Sequence, residues 1–266
     1  MKWIILLYLM IASPLYSFAQ HDPGITKIHI LGLIHTGNNQ FGEKDLQAEL
    51  ERLQPDIILW EQSIPYKRVF GLRTAHFLNI WKPGIEQLAL QSYTRRNRNC
   101  MVLPYDTVIA NRQQYIKDLE QSSSQLFQHL SKAAMTTEDS SCLAAHLEER
   151  HVNFSGLRNK SIMQINAATE IEKIRQQYQF EEKVLSDIVR KYCTDTTLSN
   201  WYLKHRQFWI DRNQYMAKKI EAIASAHPHK KIVVLTGLDH KYILLDYLNA
   251  NTSSRWQWWD VYENIN

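Results

Sequence analysis

Two tetrapeptides place a histidine three residues after a glycine, Gly32-Leu33-Ile34-His35 and Gly237-Leu238-Asp239-His240. Each closes a run rich in Ile, Leu and Val, which puts each histidine at the C-terminal end of an expected buried strand. Two more apolar runs lead into carboxylates, at Glu61 after Ile57-Ile58-Leu59-Trp60 and at Asp106 after Cys100-Met101-Val102-Leu103-Pro104. In an open α/β sheet the C-terminal strand ends share one side, and the loops leaving that side build the site. His35, Glu61, Asp106 and Asp239-His240 are therefore expected on one rim. Imidazoles with carboxylates suit a divalent metal with an open coordination position, or a metal-free general acid and base.

Taken singly, each residue has a plainer use. A histidine at a strand end is commonly a surface or capping group. Asp239 can cap the helix that follows it, and Asp106 the next turn. Glu61 is different, because a carboxylate that follows an apolar strand is partly buried and costly unless paired. The two Gly-x-x-His segments close strands in what read as equivalent contexts, and glycine lets neighbouring groups approach closely there.

The elements that must position these groups follow from periodicity. Residues 27–34 read as a strand, 43–53 as an amphipathic helix with Leu46, Leu50 and Leu53 on one face, and 57–60 as a second strand. That βαβ unit predicts two parallel, neighbouring strands. Residues 63–99 read as mostly helical with a break at 82–84, followed by a strand at 100–104. Residues 111–190 carry no strand signal and read as helical, with loops near 135–141 and 153–159. A long helix is expected over 197–226, a strand at 231–236, a helix through Leu248, and a last antiparallel or edge strand over 256–262. The fold class expected is α/β. A mostly parallel sheet forms from the N- and C-terminal strands, with flanking helices and a helical insertion at about 111–195 covering the sheet's C-terminal edge.

This order of strand, Gly-x-x-His, helix, strand ending in Glu, late helix and second Gly-x-x-His resembles the TIKI/TraB superfamily (TraB/GumN-like). That group includes TIKI proteases, erythromycin esterase-like hydrolases and ChaN-like haem-uptake lipoproteins. The resemblance spans residues 27–61 and 201–248. It implies that His35 and His240 are the paired histidines, Glu61 the acidic residue behind them, and Arg212 the arginine of the preceding helix. An arginine on a long helix is usually solvated. Here Phe208, Trp209, Tyr215 and Met216 mark a largely buried helix, where a guanidinium needs a carboxylate such as Glu61 or an anionic transition state. The implied function is hydrolysis of a peptide or ester bond in a peptide or small-molecule substrate. His35, Glu61, Asp106 and His240 would hold a divalent metal (Mn, Co or Zn) or work without one, with Asp106 orienting a histidine or completing the shell. The alternatives are a haem- or ligand-binding protein of the ChaN-like type and a catalytically inactive relative.

Composition bounds the rest. The chain has 266 residues, 44% hydrophobic and 22% charged, too apolar for disorder. A formal net charge of +4 without a basic stripe gives no nucleic-acid footprint. Residues 1–19 read as a signal peptide, with Lys2, an apolar stretch at 3–12 and a small-x-small site at Ser17-Phe18-Ala19. That stretch is too short to span a bilayer, and no cysteine offers a lipid anchor. An exported, periplasmic or secreted single domain over 20–266 is expected, with no stable membrane insertion after cleavage. Cys100, Cys142 and Cys193 form no Cys-x-x-Cys pair and allow one disulfide at most. Gly-x-Ser-x-Gly, His-Glu-x-x-His, P-loop and Gly-x-Gly-x-x-Gly motifs are absent.

Overall fold

The computed structural model describes residues 25–67, 77 and 83–262. The expected signal peptide and residues 68–76 and 78–82 of the expected helical stretch lie outside the described residues. Five strands form one all-parallel sheet in the order β3-β2-β4-β1-β5. They are β1 (Thr26–Leu33), β2 (Ile57–Trp60), β3 (Met101–Pro104), β4 (Lys231–Gly237) and β5 (Trp256–Asp260). The chain is thus α/β, as its periodicity predicts. One expectation about neighbours is corrected, and one open alternative is decided. β1 and β2 run parallel but do not pair, because β4 lies between them. Its Ile232, Val233, Val234 and Leu235 are fully buried, as suits the strand with partners on both edges. β5 is an edge strand but parallel to β1, not antiparallel: helix α9 (Leu238–Ala250) carries the chain back to the start of the sheet before β5 begins.

The remaining helices are α1 (Glu43–Leu53), α2 (Ile85–Arg96), α3 (Arg112–Leu130), α4 (Thr137–Gly156), α5 (Ile162–Ile165), α6 (Ala168–Phe180), α7 (Ser186–Tyr192) and α8 (Thr196–Ala226). A 3₁₀ turn at Leu157–Asn159 follows α4, and a π turn at Glu181–Leu185 joins α6 to α7. The sheet core takes Leu46, Leu50 and Leu53 of α1, Met216 and Ile220 of α8, and Leu244 and Leu248 of α9. The helical section has its own apolar cluster, with Leu126, Leu130, Leu143, Ile188, Val189 and Tyr202. Helix α8, 31 residues or about 46 Å long, is anchored in both. Its start is fixed by Asp195, whose carboxylate accepts from the Thr197 and Leu198 amides. All three cysteines are free thiols, and burial pushes Cys100 up to about 12. Among the described residues no helix is long and apolar enough to cross a membrane.

Candidate active site

Helix α8 delivers Arg212 to the C-terminal rim of the sheet, where the guanidinium becomes the centre of a buried cluster. Its Nε and Nη2 donate to the two Asp106 oxygens at 2.9 and 2.8 Å, a bidentate fork. Nη2 also donates to Glu61 Oε1 at 2.9 Å, and Nη1 lies 3.1 Å from His240 Nε2. Burial alone would lower the Arg212 pKa, but Asp106 and Glu61 outweigh it and raise it further. The other Glu61 oxygen accepts from the Gly237 amide at 2.5 Å and the Thr236 hydroxyl at 3.2 Å. Glu61 is 3% exposed. Desolvation would raise its pKa, yet His240, His35 and Arg212 hold it well below the usual carboxylate range. It is therefore the paired buried carboxylate that its place after β2 demands.

The two Gly-x-x-His segments turn out to do different things. In register Leu33 faces Gly237, so the motifs sit on adjacent strands offset by one residue. Gly237 is already the N-cap of α9, which places His240 in that helix's first turn, 4% exposed. The Asn213 amide nitrogen donates to the Trp209 carbonyl at 2.8 Å, so its oxygen faces His240 Nδ1 at 2.7 Å. Nδ1 thereby carries a hydrogen toward Asn213, while Nε2 lies 3.4 Å from Glu61 Oε1. The ring stacks on Trp209 at 4.3 Å, and Trp209 stacks on Tyr178 at 5.2 Å. His240 is a fixed wall.

His35 instead leaves β1 into a loop, with its side chain about half exposed. Its Nδ1 lies 2.5 Å from Glu86 Oε1, in the first turn of α2, while Nε2 lies 3.8 Å from Glu61 Oε2. Desolvation opposes its charge, but Glu86 and then Glu61 outweigh that and raise its pKa to about 9.

Glycine serves space at both motifs. A Cβ on Gly237 would stand 2.9 Å from His35 Nε2 and 3.4 Å from Glu61 Oε2. A Cβ on Gly32 would stand 2.8 Å from Leu238 Cδ1 and 3.1 Å from Asn166 Oδ1. Gly237 has φ −55, open to any residue, so the requirement there is close approach.

His35, Glu61, Arg212 and His240 open onto a cleft of about 780 Å³, completed by Trp209 and by Phe154 and Leu157 from the helical section. The helical section thus contributes part of the cleft's lining. Asp106, 6% exposed, stands behind Arg212 and is not a wall of the cleft. It holds the arginine rather than a histidine, and also accepts from the Thr107 amide. Asp239 does line the cleft, with its pKa raised by burial. It is not the N-cap of α9, a place Gly237 takes. A hollow of similar volume, about 790 Å³, lies between α3 and the start of α8 and includes none of these residues.

The donors do not fit a metal ion as they stand. Glu61 and Asp106 are spent on Arg212, and His240 Nε2 faces the same guanidinium. His35 Nε2 faces a Glu61 oxygen already bonded to Gly237, and His240 Nε2 lies 3.4 Å from the other, which Arg212 holds, so the three free protein ligands of a catalytic metal site are not on offer. Among the described residues no group of three His, Cys, Asp or Glu could hold a metal.

Three supporting residues escape a sequence reading. Glu86 looks like any acidic residue in a helix's first turn, Asn213 like a polar neighbour of Arg212, and Trp209 like core. Only their partners, set by tertiary packing, give them roles. No protein-family model matches the chain, nor does any curated protein or solved structure.

Proposed function

We propose that the protein is an exported hydrolase of peptide or ester bonds that works without a resident metal, in line with the TIKI/TraB resemblance. The observation that carries this reading is the Glu86–His35 pair, with Nδ1 fixed at 2.5 Å and Nε2 open to the cleft. A carboxylate behind an imidazole orients it and raises its basicity. His35 Nε2 takes a proton from water as the oxygen adds to the substrate carbonyl, then returns it to the leaving group. The developing oxyanion has two sources of donors. One N–H of Arg212 Nη1 is left over from its contacts. The other source is the first turn of α9, whose Leu238 and Asp239 line the cleft and whose N-cap Gly237 supplies no side chain to occupy its amides. Glu61, Asp106 and His240 hold the guanidinium in place.

The test is hydrolysis of 4-nitrophenyl acetate and of a peptide 4-nitroanilide by the purified protein and by His35→Gln. Turnover that survives a chelator and is lost in the variant supports the reading. Because the basic form of His35 grows toward pH about 9, kcat/KM should rise with pH to that region. A rate that falls through the same range would make His35 an acid. Turnover abolished by the chelator and restored by Mn, Co or Zn would replace this mechanism with a cation-dependent one. No turnover on either substrate class would sink it.

A further inference from the structure

We infer that the cleft takes a substrate carrying a fixed negative charge, a carboxylate or phosphate, gripped at its mouth by Arg112 and Arg158. This deepens the hydrolase reading and rests on the cleft being its reaction site. Both arginines line the cleft and are exposed, and neither forms an ion pair among the described residues. Inside, by contrast, the charge of Arg212 is balanced by Glu61 and Asp106, and that of His35 by Glu86. The two rim cations are thus the positive charges the site leaves unspent, and the one other ionisable group of the described lining without an ion pair, Asp239, has its pKa raised by burial, which favours its neutral form. They are held in place by different elements. Arg158 lies in the 3₁₀ turn that is stapled to the His35 loop: Asn38 donates to the Leu157 and Lys160 carbonyls at 2.7 and 2.8 Å, and the Asn39 amide to the Arg158 carbonyl at 3.1 Å. Arg112 is the first residue of α3, a 19-residue helix whose N-cap Asn111 adopts the left-handed conformation and makes no side-chain cap. The positive end of α3 therefore stands beside Arg112 at the mouth, adding to the same field. The charge of Arg112 reaches His35, whose protonation it opposes. Phe154, Leu157, Leu238 and Trp209 give the cleft an apolar side, so the ligand class is an acyl compound with an apolar body and one anionic end.

The test is calorimetric titration of the purified protein with phenylacetate and benzylphosphonate, with benzyl alcohol as the neutral control. The double variant Arg112→Gln, Arg158→Gln is run alongside. Both positions are exposed, and an unchanged unfolding temperature would establish that the variant folds. The anions should bind the parent more tightly than benzyl alcohol, and the double variant should lose at least about tenfold of that affinity, with added salt mimicking the loss. Whichever anion binds tighter tells carboxylate from phosphate. Equal affinity for the neutral control, or anion binding untouched by the double variant, overturns the inference. Titration reads no turnover, so the two readings fail separately. Anion binding that depends on the arginines, without hydrolysis of any ester, sinks the hydrolase alone. Hydrolysis of 4-nitrophenyl acetate with arginine-independent anion binding sinks this inference alone.

Discussion

Two clusters among the described residues draw on the same three kinds of group, arginine, carboxylate and histidine, and they are built for different ends. At the sheet rim, Arg212 is held by Glu61, Asp106 and His240 beneath a cleft. In the helical section, Glu181 of the π turn is held by Arg206 at 3.2 Å and Arg150 at 3.1 Å, with His146 Nε2 at 3.8 Å. Helix α8 supplies both arginines, Arg206 and Arg212, six positions apart and so on different sides of the helix. The difference lies in what surrounds the charges. Glu181 is an anion compensated by cations on α4 and α8, and its carbonyl also accepts from Tyr202 and Ser186, so the cluster is closed by helix-to-helix clamps. The rim cluster is a cation compensated by strand ends. A second histidine stands before it, open to solvent and backed by a carboxylate of its own. Residue types alone do not separate a clamp from a site; the open imidazole and the cleft do.

The largest expected effect comes from Arg212→Met. It would leave Glu61 and Asp106 as buried carboxylates without their cation, a loss of about 3–5 kcal/mol in chemical denaturation. A loss below about 1 kcal/mol would mean the two carboxylates find other partners. Next is His35→Gln, for which ester hydrolysis should fall at least about 100-fold, about 3 kcal/mol of barrier, with little change in stability because the side chain is half exposed. If stability falls and activity does not, His35 is a clamp like His146. Smaller still is Arg206→Met. Glu181 keeps Arg150 on its other oxygen, so about 1–3 kcal/mol is expected, with hydrolysis unchanged. Activity lost there at retained stability would erase the distinction between the two clusters.

Much of the rim is legible before any coordinates. A parallel sheet collects its C-terminal ends on one side, so a position just after an apolar run suffices to bring His35, Glu61 and Asp106 together. Arg212 is legible as buried from its apolar neighbours, and Glu61 as needing a partner; their 2.9 Å contact answers both. The rest depends on pairing order and helix rotation, which local pattern does not encode. Nothing in residues 27–60 says that β4 will insert between β1 and β2. That insertion brings Gly237 against Glu61 and makes the second glycine a matter of room. The equivalence of the two Gly-x-x-His segments fails for a related reason. One strand ends in a loop and the next residue pattern starts a helix at once, so identical spacing yields an open imidazole and a sealed one.

The finest contrast is in pH. Glu86, and after it Glu61, raise the His35 pKa from 6.5 to about 9, so their pairing adds stability that is complete below pH 6.5 and is lost as pH rises through 9. Glu86→Gln removes the charged partner. The unfolding temperature of the parent should exceed that of the variant most at pH about 6, and the gap should close by pH about 10. The half-exposed imidazole keeps the gap small. The alkaline rise in kcat/KM should move to lower pH in the variant, because His35 then loses its proton more easily. The Glu181 cluster makes no matching demand, since its pKa is lowered and its pairing weakens only in acid. A stability gap that stays constant from pH 6 to 10, with an unshifted activity profile, would mean that Glu86 does not set the proton affinity of His35. His35 would then stand alone at the mouth of the cleft, and the contrast between an activated histidine and a clamped one would rest on exposure only.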